Sequence, residues 1–268
     1  FYIVQTQRGC PNNCEFCSVP CVYGRKIRFR PLKTIEKEIE QVNSKYILFS
    51  DDNFLKNENR VREILSICKN SRKTFLIQTD VASISNYNLT KESIKAGCRV
   101  FFIGFESIEK NNLVQINKKI NLKYDYKKTI NFIHDEGGYV VGSFIFGFDE
   151  DDENVFEKTV NFCFKNKIDL ALYTILTPLP GTPLFKKFKK ERRILTYNWE
   201  KYDCAHCVFI PKKLKIEKLQ EGLNWCYKNF YSFSSVFKKI LSSLKTARIL
   251  IPINLGYFLV GRRGIAKI

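Results

Sequence analysis

Residues 140–176 read VVGSFIFGFDEDDENVFEKTVNFCFKNKIDLALYTIL. Val140–Phe146 is an apolar run rich in aromatic and β-branched side chains. An acidic turn follows. Val155, Phe156, Thr159, Val160, Cys163 and Phe164 then recur at helical spacing, and a second apolar run, Leu170–Leu176, closes the segment. Short apolar runs on either side of an amphipathic segment describe a strand, a helix packed on one face, and a second, parallel strand.

The same unit repeats upstream. Apolar runs at Tyr2–Thr6, Tyr46–Ser50, Phe75–Thr79 and Val100–Gly104 alternate with amphipathic segments at Leu32–Val42, Arg60–Lys69, Lys91–Ala96 and Tyr124–Asp135. Gly97 and Gly137 follow helices as C-cap signals, and Pro31 precedes one. Six β/α units require a parallel sheet with helices outside it. Six are too few to close an eight-stranded barrel. The expected fold is therefore α/β, a partial (β/α)6 parallel barrel over residues 1–185, with functional side chains at the C-terminal ends of the strands.

After Pro178-Leu179-Pro180-Gly181 the alternation stops. Lys186–Arg193 is a basic run, and Ile216–Leu244 is apolar at helical spacing with a break expected near Ser232–Ser235. Residues 186–268 read as a basic, mainly helical C-terminal extension. The chain carries 45 basic and 27 acidic side chains, a net charge of +18. Residues 1–185 hold 26 and 22 of these, a difference of +4, and residues 186–268 hold 19 and 5, a difference of +14. A tail so charged suits an anionic membrane surface, with nucleic acid the weaker candidate, or else forms a solvated face.

Hydrophobic residues make up 44% of the 268, including 23 Phe and 13 Tyr, which excludes disorder over most of the length. The longest apolar stretch, Ile249–Val260, is interrupted by Pro252, Asn254 and Gly256, so no spanning helix is expected. Neither is a secretory segment, and the expected setting is cytoplasmic or peripheral at a membrane. The chain starts at Phe1 and has no Met, as a piece of a longer protein would.

Ten cysteines in a reducing setting are better metal ligands or core residues than disulfides. Cys68, Cys98, Cys163 and Cys226 lie in apolar surroundings and read as core. Arg8-Gly9-Cys10-Pro11-Asn12-Asn13-Cys14-Glu15-Phe16-Cys17 follows the first strand with the spacing C-x3-C-x2-C. Three thiolates on one short loop can hold three irons of a cubane cluster. The fourth iron is left open, and an open position marks a catalytic metal site. Cys21 as fourth ligand would close it. The competing arrangement is a zinc site in which two loop thiols pair with Cys204 and Cys207, making a non-catalytic zinc-stabilised binding module. His206, between those two, invites a second metal site but lacks a fourth donor. His134 reads as an ordinary helix histidine.

This loop after the first strand, with Phe16 just before the last Cys and six β/α units around it, resembles the radical S-adenosylmethionine superfamily. The resemblance implies a 4Fe-4S cluster on Cys10, Cys14 and Cys17 whose open iron binds S-adenosylmethionine. Reductive cleavage then yields a 5′-deoxyadenosyl radical, which takes a substrate hydrogen. The stretches Phe49–Phe54, Gly104–Ser107, Gly142–Asp149 and Leu179–Leu184, with Trp199, Tyr202-Asp203 and His206 of the tail, are similar to one branch of it. Full-length members of that branch carry a cobalamin-binding domain upstream, and some act on lipids such as hopanoids. Cobalamin use is implied with that domain absent from this chain.

The resemblance assigns Phe16 to stacking on adenine. Asp51, Asp52 and Asn53 stand where the superfamily has a Gly-Gly-Glu stretch facing the methionine amino group; carboxylates there can hold an ammonium by charge-assisted hydrogen bonds. Glu106, among apolar neighbours, needs a partner, and ribose hydroxyls or the methionine ammonium would serve. Gln78, Ser107 and Ser143 complete the candidate cofactor-binding set. The implied reaction is radical functionalisation of an unactivated carbon in a small-molecule or lipid substrate, with methyl transfer through cobalamin the leading form and flavodoxin or ferredoxin as electron donor. The rival within the superfamily is a methylthiotransferase acting on tRNA or a ribosomal protein, suggested by Cys17-Ser18-Val19-Pro20 and Gly24-Arg25.

Overall fold

The computed structural model describes residues 1–235 together with Asn254, Gly256, Tyr257 and Leu259. The strands are β1 (Tyr2–Val4), β2 (Gln7–Arg8), β3 (Arg28–Phe29), β4 (Tyr46–Phe49), β5 (Thr74–Asp80), β6 (Cys98–Glu106), β7 (Tyr139–Phe146) and β8 (Leu170–Ile175). The helices are α1 (Val19–Val22), α2 (Leu32–Gln41), α3 (Glu58–Asn70), α4 (Val81–Ile84), α5 (Tyr87–Lys95), α6 (Lys110–Gln115), α7 (Tyr126–Asp135), α8 (Val155–Lys165), α9 (Pro183–Lys190) and α10 (Ile216–Phe230). Six strands form one parallel sheet in the order β1-β4-β5-β6-β7-β8, while β2 and β3 pair as a small antiparallel ribbon. Each helix returns the chain to the next sheet position, so sheet order follows chain order.

By contact density the chain forms two compact units: Phe1–Phe105 with Lys118–Val141, and Glu106–Asn117 with Gly142–Ile268. In the first, strand alternation separates two faces. Ile47, Phe49, Phe75, Ile77, Phe101, Ile103 and Phe105 are buried on the helix side. There Phe49 meets Phe54 and Phe75 at 4.9 and 5.3 Å. Gly138 is wedged where any Cβ would stand 2.8 Å from Ile133 and 3.0 Å from Phe101, so α7 lies close against β6. The other face carries Leu48, Leu76, Phe102 and Gly104 half-buried and Gln78 exposed. Short polar side chains start the helices, as with Asn57 on Arg60 N, Asn86 on Leu89 N and Asp125 on Lys128 N.

In the second unit the change of sequence pattern at residue 185 is not a break in the core. Helix α10 packs across β8 and α8. At Gly222 the Phe156 ring comes so close that a Cβ would clash with three of its atoms. Tyr227 of α10 and Tyr231, the residue just past its end, reach the backbone of β8. The Tyr231 hydroxyl accepts from Ala171 N (3.0 Å) and donates to Ala171 O (2.9 Å), and Tyr227 does the same at Tyr173 (3.1 and 2.9 Å). The Cys204 carbonyl takes Ile175 N at 2.8 Å.

Between α9 and α10 the extension is not helical beyond a single 3-10 turn at Trp199–Lys201. It folds back through an antiparallel bridge, Ile194 to Phe209. Arg193, part of the basic run by sequence, is buried. Its guanidinium lies 4.1 Å from the centre of the Phe188 ring and 2.8 Å from Asp149. Helix α10 stops at Phe230. The periodic run from 236 to Leu244 lies outside the described residues, as does most of Ile249–Val260. Among the described residues no helix is long and apolar enough to cross a membrane.

Asp151 ties the turn after β7. One carboxylate oxygen accepts from Gly147 N and Phe148 N at 2.9 and 3.0 Å, the other from Asn112 Nδ2 at 2.6 Å. Burial pushes its carboxyl up to about 6 from an ordinary 3.8, against the pull of these hydrogen bonds. The folded chain therefore binds this proton more tightly than the unfolded chain. Its contribution to stability is most favourable below the unfolded value and declines as pH rises from about 4 to about 6, by roughly 3 kcal/mol in total. Asp151→Asn removes that titration. Denaturant unfolding of both proteins at pH 4 and pH 7 is expected to show the variant's relative stability improving by about this amount at the higher pH; an unchanged difference would contradict the assignment.

Candidate functional site

The cysteine loop lies between β2 and β3, which pair Gln7 with Phe29 and Arg8 with Arg28 and so close the loop at its base. Just inside, Gly9 takes φ +96, and a Cβ there would stand 2.6 Å from the Lys26 carbonyl oxygen. Only glycine lets the two ends of the loop approach this closely. Cys10 is buried, Cys14 and Cys17 are half-buried and Cys21 is exposed. Phe16 is half-buried. Burial raises the Cys10 thiol above its ordinary value.

Residues at the C-terminal ends of β4 and β5 hold this loop. Asp51 accepts from Thr6 N (2.7 Å) and Gln7 N (3.0 Å) on one oxygen and from the Thr6 hydroxyl on the other. It is fully buried, and burial pushes its carboxyl up to about 6. Gln7 Nε2 donates to Asn53 O at 2.8 Å, and Gly9 N to Asp52 at 3.2 Å. Asp80 is the centre of the network. One of its oxygens receives Asn12 Nδ2 from the cysteine loop (2.7 Å), Asn53 Nδ2 (2.8 Å) and Lys56 Nζ (3.1 Å), and the other receives Ser83 N (2.7 Å). Burial opposes its ionisation, but the Lys56 charge and these donors hold the carboxyl well below the usual range.

This geometry sorts the candidates. Asp51 spends both oxygens on the chain, and Asn53 gives its amide to Asp80 and its oxygen to Thr79. Both therefore position the loop rather than present a free edge to a ligand. Asp52 stays half-buried beside Gly9 with burial raising its carboxyl, and Gln78 is exposed on the face away from the helices. Asp80 and Asn12 were not picked out by sequence reasoning. The available signal was Asp80 followed three residues later by Ser83, a helix-cap spacing at a strand end.

In the second unit Glu106 ends β6 buried, with φ +64, a conformation rare for a side chain of this size and often kept at functional sites. Ser107 follows it and is buried too. Its hydroxyl accepts from Glu109 N and from Asn112 Nδ2, both at 3.0 Å, at the start of α6. Ser143 sits half-buried in the middle of β7 rather than at its end.

The Cys204–Cys207 turn is built from its own neighbours. Asp203 accepts from Ala205 N and His206 N and meets His206 Nδ1 at 2.8 Å, while Cys207 Sγ donates to Phe209 O at 3.2 Å. Burial pushes the Cys207 thiol up to about 11. Among the described residues no three His, Cys, Asp or Glu side chains form a ready metal-holding group. The cysteine loop thus supplies donors of the right kind and spacing without holding them preassembled. Three soft thiol donors on one tethered loop suit an iron–sulfur cluster, whose irons would supply the countercharge a buried thiolate requires.

Comparison with known proteins agrees with this geometry. The Radical SAM superfamily model matches residues 4–163. Bacteriochlorophyllide d C-12(1)-methyltransferase from Chlorobaculum tepidum is 33% identical over 247 residues, covering 87% of this chain and 52% of that protein. Hopanoid C-2 methylase from Rhodopseudomonas palustris is 27% identical over 202 residues, covering 72% and 38%. The chain thus spans about half the length, or less, of the curated relatives it matches. In fold it is similar to the radical S-adenosylmethionine methyltransferase TsrM from Kitasatospora setae with cobalamin and a [4Fe-4S] cluster bound (TM-score 0.61, 15% identity, 71% of this chain and 39% of that one). It is also similar to the cobalamin-dependent S-adenosylmethionine radical enzyme OxsB (TM-score 0.60, 17% identity, 96% and 46%). The family match covers well over half of the chain and includes the cysteine loop and the strand ends that hold it, and the chain is therefore a radical SAM enzyme core, a member of the radical SAM superfamily.

Proposed function

We propose that this chain is the catalytic core of a cobalamin-dependent radical S-adenosylmethionine methyltransferase acting on a small organic molecule. The observation that carries the reading is the C-x3-C-x2-C loop fastened to the ends of β4 and β5, in a chain whose relatives include named methyltransferases and methylases. Cys10, Cys14 and Cys17 would hold a 4Fe-4S cluster, which when bound supplies the electron for reductive cleavage of S-adenosylmethionine.

The chain's own part is positioning. Asp80, through Asn12, and Asp51, through Thr6 and Gln7, fix the entry to the loop and one point in its body, so that loading has only the three thiols left to draw together. Phe16 offers a ring between the second and third ligands for stacking on adenine. Asp52 and Gln78 are the remaining polar groups of the first unit that we assign to holding S-adenosylmethionine. Asp51, Asn53 and Ser107 belong to the scaffold. An external reductant, of the flavodoxin or ferredoxin kind, and cobalamin held elsewhere in the full-length protein complete the scheme.

The test follows the methyl group. Full-length protein, reconstituted with iron, sulfide and cobalamin, is incubated with S-adenosylmethionine bearing a trideuterated methyl group, a reductant and candidate chlorins or terpenoid lipids. Mass spectrometry should find the label on carbon of a product. Formation of 5′-deoxyadenosine with an oxidised or cyclised product free of label would replace methyl transfer with another radical reaction. Label delivered with sulfur to tRNA or a ribosomal protein would support the methylthiotransferase reading.

A further inference from the structure

On the second unit, α9 and the loop after it expose a mixed aromatic and basic surface that the cluster chemistry does not use. Tyr197 and Trp199 are 53% and 54% exposed, large values for such side chains, and Leu195 beside them is 43% exposed. The rings are continuous: Tyr197 to Trp199 at 5.8 Å, and Trp199 to Phe185 of α9 at 6.5 Å. Trp199 in turn rests on Tyr202 at 4.9 Å, whose hydroxyl donates to Thr196 O at 2.8 Å, so the patch is braced from below.

Helix α9 buries Leu184 and Phe188 and has no acidic residue in its first turn. Its last turns carry Lys186, Lys189 and Lys190, all exposed. Lys189 lies one turn from Phe185 on the same stripe of the helix, so cations border the ring that touches Trp199. Glu191, the nearest acid after the helix, is drawn to Arg193 at 3.1 Å, and Glu200 stays exposed beside Trp199.

Aromatic side chains with one polar edge, fringed by flexible cations, match the headgroup region of an anionic bilayer. The rings settle at the level of the headgroups, and lysines meet the surface charge. We propose that this face, Tyr197 and Trp199 with Lys186, Lys189 and Lys190, docks the protein peripherally on an anionic lipid surface. Nucleic acid would use the same cations but would not draw Trp199 into an apolar layer.

The chain has two tryptophans, so Trp225→Phe leaves Trp199 as the sole indole reporter. The probe is sucrose-loaded phosphatidylcholine vesicles with or without about one third phosphatidylglycerol. The protein should pellet with the anionic vesicles only, Trp199 emission should shift to the blue, and both effects should reverse as salt rises. Lys186→Gln, Lys189→Gln and Lys190→Gln together should weaken binding by about 100-fold, about fivefold for each charge. This triple variant leaves the charge of residues 236–268 in place and so isolates the patch. Tyr197→Ala with Trp199→Ala should weaken binding at every salt concentration, and circular dichroism of the unbound variants should match the parent. The proposal is overturned by equal binding to neutral vesicles, by binding without any change at Trp199, or by no binding. Lysine-dependent binding of tRNA in the absence of vesicle binding would assign the face to nucleic acid instead.

Discussion

Alanine at Cys10, Cys14 or Cys17 abolishes both the brown colour of the anaerobically reconstituted protein and its reductive cleavage of S-adenosylmethionine. Alanine at Cys21, Cys204 or Cys207 leaves both in place. The expectation follows from ligand arithmetic. A cluster with one iron open for the substrate has three protein ligands and no spare. Each cysteine lost therefore removes the site rather than weakening it. The two groups of thiols lie in different local settings. Cys10 sits buried within a loop anchored by Asn12 to Asp80, whereas Cys21 is exposed and Cys207 donates to Phe209 O in a turn of its own. Absorbance near the visible iron–sulfur band, iron and sulfide content, and 5′-deoxyadenosine release give three separate readouts. A colourless Cys204→Ala protein that is still folded would overturn the assignment of ligands. Because Asp80→Asn keeps the size of the side chain but loses the charge facing Lys56, it should load cluster more slowly while retaining colour. It would separate the role of the scaffold from that of the ligands.

The fold was legible because its signals are local. A two-residue period in strands and a 3.6-residue period in helices need no knowledge of partners, and the six repeated units left few topologies to choose from. The thiol spacing is local in the same way. What sequence could not say is which way a strand-end polar group turns. Asp51, Asp52 and Asn53 follow one another at the end of β4, yet Asp51 and Asn53 are consumed by Thr6, Gln7, Thr79 and Asp80, partners 26 to 45 residues away. Ser107 also accepts from Glu109 N at the start of α6, while Asp80, the centre of the loop's support, drew no reading from sequence at all. Charge counting failed at Arg193 for a related reason. A run of basic residues reads as solvated, but one of them is held between Phe188 and Phe209 beside Asp149.

Removing the two hydroxyls that cover β8 should cost a large share of the chain's stability while keeping its shape. β8 stands at one end of the sheet order, so one row of its backbone groups has no strand neighbour in that sheet. Tyr227 and Tyr231 satisfy those groups two at a time, each hydroxyl accepting from the N–H and donating to the C=O of a single β8 residue. Tyr173 and Ala171 are buried, so neither pair can turn to water when its partner goes. Phenylalanine preserves the ring and its contacts, including the stack of Tyr227 on Tyr231 at 6.1 Å, and removes only the hydroxyl. A buried polar group left unmade costs about 1–3 kcal/mol. Each single change is then expected to lose about 2 kcal/mol, and the double variant about 3–4 kcal/mol, because the two sites lie side by side on one strand and will not add in full. Against a typical total of about 5–15 kcal/mol this is a large fraction. Urea unfolding monitored by circular dichroism measures it. A double variant within about 0.5 kcal/mol of the parent would mean that water reaches β8 and the cover is not needed. A second consequence distinguishes edge protection from simple packing. An uncovered strand edge is a template for pairing with another chain, so the double variant should self-associate at concentrations where the parent does not, as light scattering would show. A packing mutant of equal instability, such as Leu223→Ala on the same helix, keeps both hydroxyls and should unfold as easily without that tendency.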